Sequence, residues 1–165
     1  MPKFSLKQLR CWFDTESQSS EPIVATGNVT EWFRIIPFLF MHIMCLGVIW
    51  VGWSWELLVV TFLLYALRMF AITGFYHRYF SHRTFKAGRF VQFAFAVIGA
   101  SSVQRGPLWW AAHHRKHHRH SDTENDVHSP HHHGFWWSHI GWITSPANFP
   151  TDHSQVPDFS KYPEL

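Results

Sequence analysis

The sequence predicts an all-α integral membrane protein, in which a transmembrane helical hairpin precedes an interfacial amphipathic helix and a His-rich cytoplasmic segment. Three observations indicate this fold class. The chain of 165 residues is 47% hydrophobic and 18% aromatic but only 15% charged, which is apolar for a domain of this size. Two long apolar runs stand next to each other in its first half. All but one of its 14 histidines follow those runs.

The N-terminal residues 1–31 are polar and rich in turn-forming residues, and we interpret them as a flexible tail. A cleavable signal peptide has a charged start, a short apolar core and a small-residue cleavage site. The stretch before Phe33 lacks this pattern, so we expect no such signal there.

Two apolar runs predict the transmembrane hairpin, which spans residues 32–76. Residues 33–55 and 57–75 are almost entirely apolar, and each is close to the about 20 residues that a helix needs to cross a bilayer. The connection at residues 51–56 is short, contains Gly52 and is rich in tryptophan, which favours the lipid interface. We therefore expect two antiparallel spanning helices.

Positive charges indicate the orientation of the hairpin. Lysines and arginines precede the first run and follow the second, whereas the connection has none. By the positive-inside rule, both ends of the hairpin face the cytoplasm. We therefore expect a multi-pass membrane protein whose histidine clusters lie on the cytoplasmic side. The flanking residues are Lys3, Lys7, Arg10, Arg34, Arg78, Arg83, Lys86 and Arg89.

A shorter apolar run near residues 88–104 predicts the interfacial helix. Its apolar part is about 14 residues long, which is too short for a full crossing, and a crossing would place the two histidine clusters on opposite sides of the membrane. We interpret it as an amphipathic helix that lies along the membrane surface. Residues 77–145 then form the His-rich cytoplasmic part, and residues 146–165 form a truncated connection.

The spacing of the histidines predicts a metal site. His114, His117 and His118 are three and four residues apart, which places them on about one face of a helix. His77 and His82 are five residues apart, an awkward angle on an α-helix, so we expect the helix to unwind or bulge between them. Imidazole is a preferred ligand of iron, zinc and copper. These five histidines are our candidate metal ligands.

Charge and composition restrict the partners. The net charge of +3 comes from scattered basic residues, and no motif that reads nucleic acid is present. We therefore expect membrane lipid as a partner and no nucleic acid.

The segments HRYFSHRTFK, GPLWWAAHHRKHHRHSDTENDVHSP and GFWWSHIGW resemble the first two histidine boxes, and the stretch after them, of membrane-bound fatty acid desaturases. The resemblance is strongest to the acyl-CoA (stearoyl-type) group, and it runs over about residues 71–142 with both HRxxxH and HRxHH in order. It implies an oxidoreductase that uses two iron ions and O2 to remove two hydrogens from a saturated acyl chain, which leaves a cis double bond.

The resemblance also implies site residues and partners. The five candidate histidines would be iron ligands, the substrate would be a fatty acyl-CoA or an acyl lipid desaturated at the Δ9 position, and the electrons would come from a ferredoxin or a b-type cytochrome with its reductase. We take Trp109 and Trp110 as candidates for an acyl tunnel. Arg105 and Arg115 are candidates for contacts with the phosphates of a coenzyme A head group.

The chain departs from this family in one respect. The family carries a third box, of the HxxHH kind, after a second pair of spanning helices, and no such box occurs up to Leu165. Five ligands cannot complete the coordination of two irons, so we expect a fragment of a longer desaturase that is inactive alone. Two alternatives stay open: a His-rich membrane hydroxylase or alkane oxygenase, which would give a hydroxylated product, and a non-catalytic membrane metal-binding protein.

Overall fold

A computed structural model describes Thr30 and residues 32–165, and in this part of the chain every regular element is a helix. The all-α prediction is therefore confirmed. The flexible tail predicted for residues 1–31 lies outside the described residues, apart from Thr30. The helices are α1 Trp32–Cys45, α2 Val48–Val51, α3 Trp55–Phe70, the π-helical segment Ala71–Ser81 (the π segment), α4 Arg89–Ala100, α5 Pro107–His120, α6 Pro130–His133 and α7 Phe135–His139, with short 3-10 helices at Gly141–Thr144, Pro146–Asn148 and His153–Gln155.

The chain divides into two compact units, and each is described by itself. The first unit holds α6, α7 and the two 3-10 helices that follow them. The second unit holds α3, the π segment, α4, α5 and the C-terminal segment, by which we mean residues 152–165. Within the described residues, the first unit comprises Thr30, residues 32–38 and residues 121–151, and the second comprises residues 39–120 and 152–165.

One helix of the described chain is long and apolar enough to cross a membrane. α3 and the π segment form a continuous helix of 27 residues, Trp55–Ser81, whose most apolar stretch has a mean hydropathy of 2.0. Ser54 caps its start, because the Ser54 hydroxyl accepts a hydrogen bond from the backbone N–H of Leu57 at 3.3 Å. Every side chain of α3 is exposed. A helix that is apolar all round and uncovered by protein is typical of a membrane span.

The first apolar run forms shorter helices than the sequence predicts. α1 ends at Cys45, where Leu46 and Gly47 make a turn before α2. The 14 residues of α1 extend only about 21 Å, which is less than the about 30 Å of a bilayer core. Glycine weakens a helix, and Gly47 gives this run a place to break. The helices also break inside the predicted connection, since Gly52 adopts φ +76° and separates α2 from α3, while the antiparallel hairpin stays a prediction.

One face of α4 packs against the π segment. Gln92, Ala96 and Gly99 are buried, whereas the opposite face exposes large apolar side chains. A Cβ atom at Gly99 would collide with the ring of Tyr76, so only glycine allows this close approach. The predicted helix near residues 88–104 is therefore present, and its place at a membrane interface stays a prediction.

The core of the second unit is aromatic and includes the C-terminal segment. Phe159 packs against Tyr79 and Phe80 of the π segment, with ring centroids 5.3 and 5.1 Å apart. The last residues of the chain, which the sequence predicts only as a connection, are therefore part of the fold. The core consists of Phe75, Tyr76, Tyr79, Phe80, Ala96, Leu108, Ala111, Ala112, Val156 and Phe159.

Candidate metal centre

The first histidine pair lies at the end of the long helix. In an α-helix, residues five apart are turned about 140° from each other, but the π segment bonds residues five apart, as the backbone N–H of His82 does to the carbonyl of His77 at 3.2 Å. The Nε2 atoms of the two rings are consequently 3.1 Å apart. The predicted bulge between the two histidines is confirmed, and it takes the form of a π-helix.

The second pair lies on α5, which begins at Pro107, a residue that favours the first turn of a helix. His114 and His118 are one α-helical turn apart, and their Nε2 atoms are separated by 3.0 Å. The Nε2 atom of His114 also lies 3.1 Å from that of His82. α5 therefore brings its pair against the pair of the π segment.

These four residues form the four-histidine cluster: His77, His82, His114 and His118, whose ligand atoms all lie within 4.8 Å of one another. A neutral ring nitrogen carries either one N–H or one lone pair, so it can take part in one N–H···N hydrogen bond. Three contacts join four nitrogens in a row here, and at most two of them can be such bonds. At least one of the three contacts therefore has no proton to share.

A metal ion would resolve this arrangement. Imidazole nitrogens bind divalent transition metals at about 2.1 Å, so two ligands at the right angles of an octahedral ion lie about 3.0 Å apart. The three nitrogen contacts in the cluster measure 3.0 to 3.1 Å. Iron accepts the same type of ligand. The donor set and its spacing therefore fit a divalent transition metal bound by four imidazoles.

Electrostatics keep two rings of the cluster, those of His114 and His82, in their metal-binding form. Burial lowers the pKa of His114 to about 3, and the charges of His118, His77, His82 and His117 act in the same direction. Burial also lowers the pKa of His82, as do His77, His118 and Arg115. Neutral imidazole is the form that offers a lone pair to a metal. At neutral pH these two rings are therefore ready to bind.

The other three histidines of α5, His113, His117 and His120, lie outside the cluster. The ring centroid of His117, which the sequence predicts as a fifth ligand, is 6.4 Å from that of His114 and 5.7 Å from that of His118. The ring of His113 packs instead against that of Trp109, with centroids 4.3 Å apart and planes at 43°. The structure thus groups four of the five predicted ligands, and it leaves His117 as a candidate for a different position.

Trp109 and Trp110, the candidates for an acyl tunnel, have different surroundings. Trp110 lies one turn before His114 and stacks on its ring, with centroids 4.7 Å apart and planes at 25°. Its indole N–H donates to the side chain of Gln104 at 3.2 Å, which fixes the ring over the cluster. Trp109 is buried, and the guanidinium of Arg105 lies 4.6 Å from the centroid of its ring. Trp110 therefore restrains the orientation of a candidate ligand.

Arg115 has a different role from the predicted phosphate contact. Its guanidinium donates to the carbonyl oxygens of Phe80 and Ser81 at 2.6 and 2.9 Å, and to that of Gln155 at 2.8 Å. It also donates to both carboxylate oxygens of Asp158. Because these partners occupy all three nitrogens of the guanidinium, Arg115 joins α5 to the π segment. Asp158 carries no signal in the sequence, since it stands alone and far from the boxes.

In the first unit, a buried carboxylate orients one further histidine. Asp126 is 1% exposed, and one of its oxygens lies 2.7 Å from Nδ1 of His128. The other oxygen accepts a hydrogen bond from the backbone N–H of Asp122 at 3.3 Å. The His128 ring also packs against Trp142, with centroids 4.7 Å apart. This pair holds the loop after the second box in a defined conformation.

Comparisons with known proteins agree with the motifs. The profile of the family described as fatty acid desaturase matches residues 53–163. An acyl-CoA 5-desaturase of Anemone leveillei is 39% identical over 121 residues, which cover 73% of this chain and 37% of the relative. The sn-1 stearoyl-lipid 9-desaturase of Anabaena variabilis is 38% identical over 141 residues, which cover 83% of this chain and 50% of the relative.

A third relative extends the comparison to another source. The Delta-9 desaturase-like 5 protein of Arabidopsis thaliana is 38% identical over 110 residues, which cover 67% of this chain and 36% of the relative. The chain thus spans half or less of the length of these three relatives. No solved structure matches it.

Proposed function

Because the chain belongs to the fatty acid desaturase family, we propose that it contributes the four-histidine cluster to a di-iron centre that introduces a cis double bond into a saturated acyl chain with O2. Its relatives are oxidoreductases by name. The observation that carries the proposal is the convergence of four imidazole ligand atoms within 4.8 Å, formed by the two histidine boxes.

The four-histidine cluster would hold one iron, and His117 would be a ligand of the second. His117 is on the same helix as His114, but its ring centroid is 6.4 Å away, too far for it to share the nitrogen contacts of the cluster. Metal ions in two-metal sites lie about 3.5–4 Å apart. A ligand displaced by this much from the first set therefore supports a second iron on the same side of α5.

The chemistry explains why the reaction needs a metal. The C–H bonds of a saturated acyl chain have no acidic proton, so general base catalysis by a side chain has nothing to remove. The bound iron pair would supply the oxidising chemistry with O2. The residues of the chain position and tune the site: neutral imidazoles offer their lone pairs, and Trp110 fixes the plane of the His114 ring.

We propose a fatty acyl-CoA or an acyl lipid as the substrate, desaturated at the Δ9 position. Named relatives include an acyl-CoA 5-desaturase and a stearoyl-lipid 9-desaturase, so both carriers occur among proteins similar to this chain. Arg105 would meet the phosphates of a coenzyme A head group, and Trp109 and Trp110 would face the acyl chain. A ferredoxin or a b-type cytochrome with its reductase would supply two electrons.

The proposed topology is a membrane hairpin with the cluster on the cytoplasmic side. The apolar helix Trp55–Ser81 supports one crossing, and the lysines and arginines beyond its end support a cytoplasmic location for that end. α1 and α2 would form the other arm of the hairpin. α4 would lie along the interface, with Phe90, Phe93 and Val97, which are exposed, directed toward lipid.

The proposal is tested with the purified chain in detergent. Ferrous iron is added anaerobically, and iron bound per chain is measured before and after the substitution His82→Ala. Deuterated stearoyl-CoA is then supplied with O2, ferredoxin and a ferredoxin reductase, and the acyl products are identified by mass spectrometry. We expect iron binding that depends on His82, and we expect a monounsaturated product from any assembly of this chain that completes both iron sites.

The alternatives give different results. A hydroxylated product would indicate an oxygenase of the same His-rich group. Iron that binds tightly through His82 but supports no O2 consumption in a complete assembly would indicate a non-catalytic metal-binding protein. Iron binding that survives His82→Ala would contradict the proposed site itself.

A further inference from the structure

One carboxylate in the C-terminal segment lies close to both histidine boxes. The side chain of Asp158 accepts two parallel hydrogen bonds from Arg115, with nitrogen–oxygen distances of 2.8 and 3.0 Å. It also lies 3.4 Å from Nε of Arg83. Arg115 directly follows His114 in the second box, and Arg83 directly follows His82 in the first. Asp158 therefore contacts an arginine from each of the two boxes.

The pair between Arg115 and Asp158 is shielded from water. The two side chains are only 18% and 16% exposed. Burial by itself raises the pKa of Asp158, but the hydrogen bonds and positive charge of Arg115 outweigh this and lower the pKa, so the carboxylate is ionised at neutral pH. A paired carboxylate and guanidinium in this geometry have a fixed mutual orientation, because two parallel bonds prevent rotation.

The orientation of Arg115 matters because of what else it holds. The same guanidinium donates to the carbonyl oxygens of Phe80 and Ser81, the two residues before His82. The carbonyls in the last turn of a helix have no partner within the helix. Arg115 satisfies two of them at the end of the π segment, and it thereby connects the backbone beside His82 with the backbone beside His114.

We propose that Asp158 is a positioning residue of the metal centre, which by orienting Arg115 sets the separation of His82 from His114. This inference rests on the proposed function, since it concerns the same four-histidine cluster. The C-terminal segment is anchored for this task, because Val156 is fully buried and Phe159 packs on Phe80. Because its segment is anchored in the core, the carboxylate of Asp158 has a fixed position and holds the guanidinium of Arg115 in a fixed position as well.

The chain contains a matched control for Asp158. Glu164 belongs to the same C-terminal segment and makes the same two-bond pair with an arginine, Arg89, at 2.5 and 2.8 Å. Arg89 begins α4, and these two hydrogen bonds join α4 to the C-terminal segment rather than to a histidine box. Glu164→Gln therefore removes a pair of the same hydrogen-bond geometry, although a more exposed one, without changing the contacts between the boxes.

The experiment measures Co²⁺ binding by the metal-free chain in detergent, with dialysis for affinity and visible absorption for the ligand geometry. We expect Asp158→Asn to weaken Co²⁺ binding about 10- to 100-fold, as loss of a group that orients metal ligands commonly does. Glu164→Gln should change it less than about threefold. Equal losses in the two variants would overturn the inference, while binding by the unaltered chain would leave the proposed metal site standing.

A second pair of variants covers the case in which Asp158→Asn does not fold. Asp158→Glu retains the charge but moves the carboxylate outward by one methylene, so we expect full Co²⁺ stoichiometry with shifted absorption bands. Glu164→Asp makes a change of the same size and should leave the bands in place. Unshifted bands in Asp158→Glu would overturn the inference. Failure of the unaltered chain to bind Co²⁺ would instead overturn the proposed metal centre, and this inference with it.

Discussion

The two helices that carry the four-histidine cluster bring their histidines together with different backbone geometries. α5 presents His114 and His118 four residues apart, the spacing of a regular turn. The long helix presents His77 within the π segment and His82 directly after it, five residues apart, and its backbone is widened between them. A regular helix presents such a pair through its own hydrogen bonds. An irregular helix needs contacts with neighbouring elements to keep its shape. The histidine pair at the π segment should therefore be more sensitive to substitutions outside the site than the pair on α5.

The neighbours that hold the wider turn can be named. The hydroxyl of Tyr76 donates to the carbonyl oxygen of Ala96 in α4 at 2.8 Å, and that of Tyr79 donates to the side chain of Gln92 at 3.0 Å. Runs of π-helix are rare and usually short, and they occur often at functional sites. A π segment of 11 residues therefore needs this support from α4 and α5.

The largest expected effect comes from removing a ligand that both halves share. His114→Ala should weaken Co²⁺ or Fe²⁺ binding by more than about 100-fold, since groups one step further from a metal already cost 10- to 100-fold. The Nε2 atom of His114 contacts those of His82 and His118, so its loss opens the cluster at the centre. Dialysis with metal analysis measures the effect.

The neighbouring residue provides the control for this prediction. His113→Ala removes an imidazole that packs against Trp109 outside the cluster, and it should change metal affinity by less than about threefold. Comparable losses in the two variants would show that the cluster is not the binding site.

The next effect tests the support of the π segment by α4. Gly99→Ala places a methyl group against the ring of Tyr76, which is fully buried and cannot move aside. Overpacking of this kind costs about 1–3 kcal/mol, and the gain of about 0.5–1 kcal/mol from replacing a helical glycine does not offset it. We expect a lower thermal midpoint in detergent, followed by circular dichroism.

The control for Gly99 is a glycine of the π segment itself. At Gly74 a new Cβ would meet the ring of Phe70 at 3.2 Å, and that side chain is 54% exposed and free to give way. Gly74→Ala should therefore change the midpoint much less. If Gly74→Ala proves the more damaging, the close approach between α4 and Tyr76 is not what stabilises the turn.

The pH dependence of stability should also differ between the two histidine pairs of the cluster. The unfolded chain protonates His114 near its ordinary pKa of 6.5, whereas the folded metal-free chain does so only near 3. Between these values the unfolded state binds more protons, so the free energy of unfolding falls as the pH drops through this window. The thermal midpoint with a chelator should therefore be lower at about pH 5 than at about pH 7.5.

Substitutions assign the pH effect to one half or the other. His114→Gln removes the largest shift and should flatten the profile most, while His82→Gln, whose pKa burial also lowers, should flatten it less. A profile that stays equally steep in both variants would place the titrating group elsewhere.

Much of the fold can be predicted from the local sequence pattern, because the length of an apolar run and the spacing of its apolar residues indicate a helix. The apolar run of Trp55–Ser81 and the buried face of α4 are local features, and the structure agrees with both. The break at Leu46 and Gly47 was not predicted, since a single glycine inside an apolar run does not show whether a helix continues through it. The end of the chain was predicted only as a connection, because its contacts with the core are long-range.

The site divides in the same way. The four-residue spacing of His114 and His118 is sufficient to place them together, and the five-residue spacing of His77 and His82 predicts a bulge. Sequence spacing does not predict the contact between Arg115 and Asp158. These two residues are 43 apart in sequence, so no local pattern links them. From sequence alone, an arginine beside a histidine box could equally bind a phosphate. Only the folded chain shows that its donors are occupied.

The smallest effect tests the π turn at its last residue. The hydroxyl of Ser81, which is buried, donates to the carbonyl oxygen of Tyr76 five residues earlier at 2.8 Å. Ser81→Ala should cost about 0.5–1.5 kcal/mol of stability and lower Co²⁺ affinity severalfold, because the wider turn positions His82. Thr73→Ala removes a similar bond, from the Thr73 hydroxyl to the carbonyl of Met69 four residues earlier at 2.7 Å, at an exposed position. It should leave affinity unchanged, since that bond follows the regular spacing of an α-helix. If the two variants bind Co²⁺ equally well, the π geometry persists without the Ser81 bond, and the support from α4 and Arg115 is sufficient to maintain it.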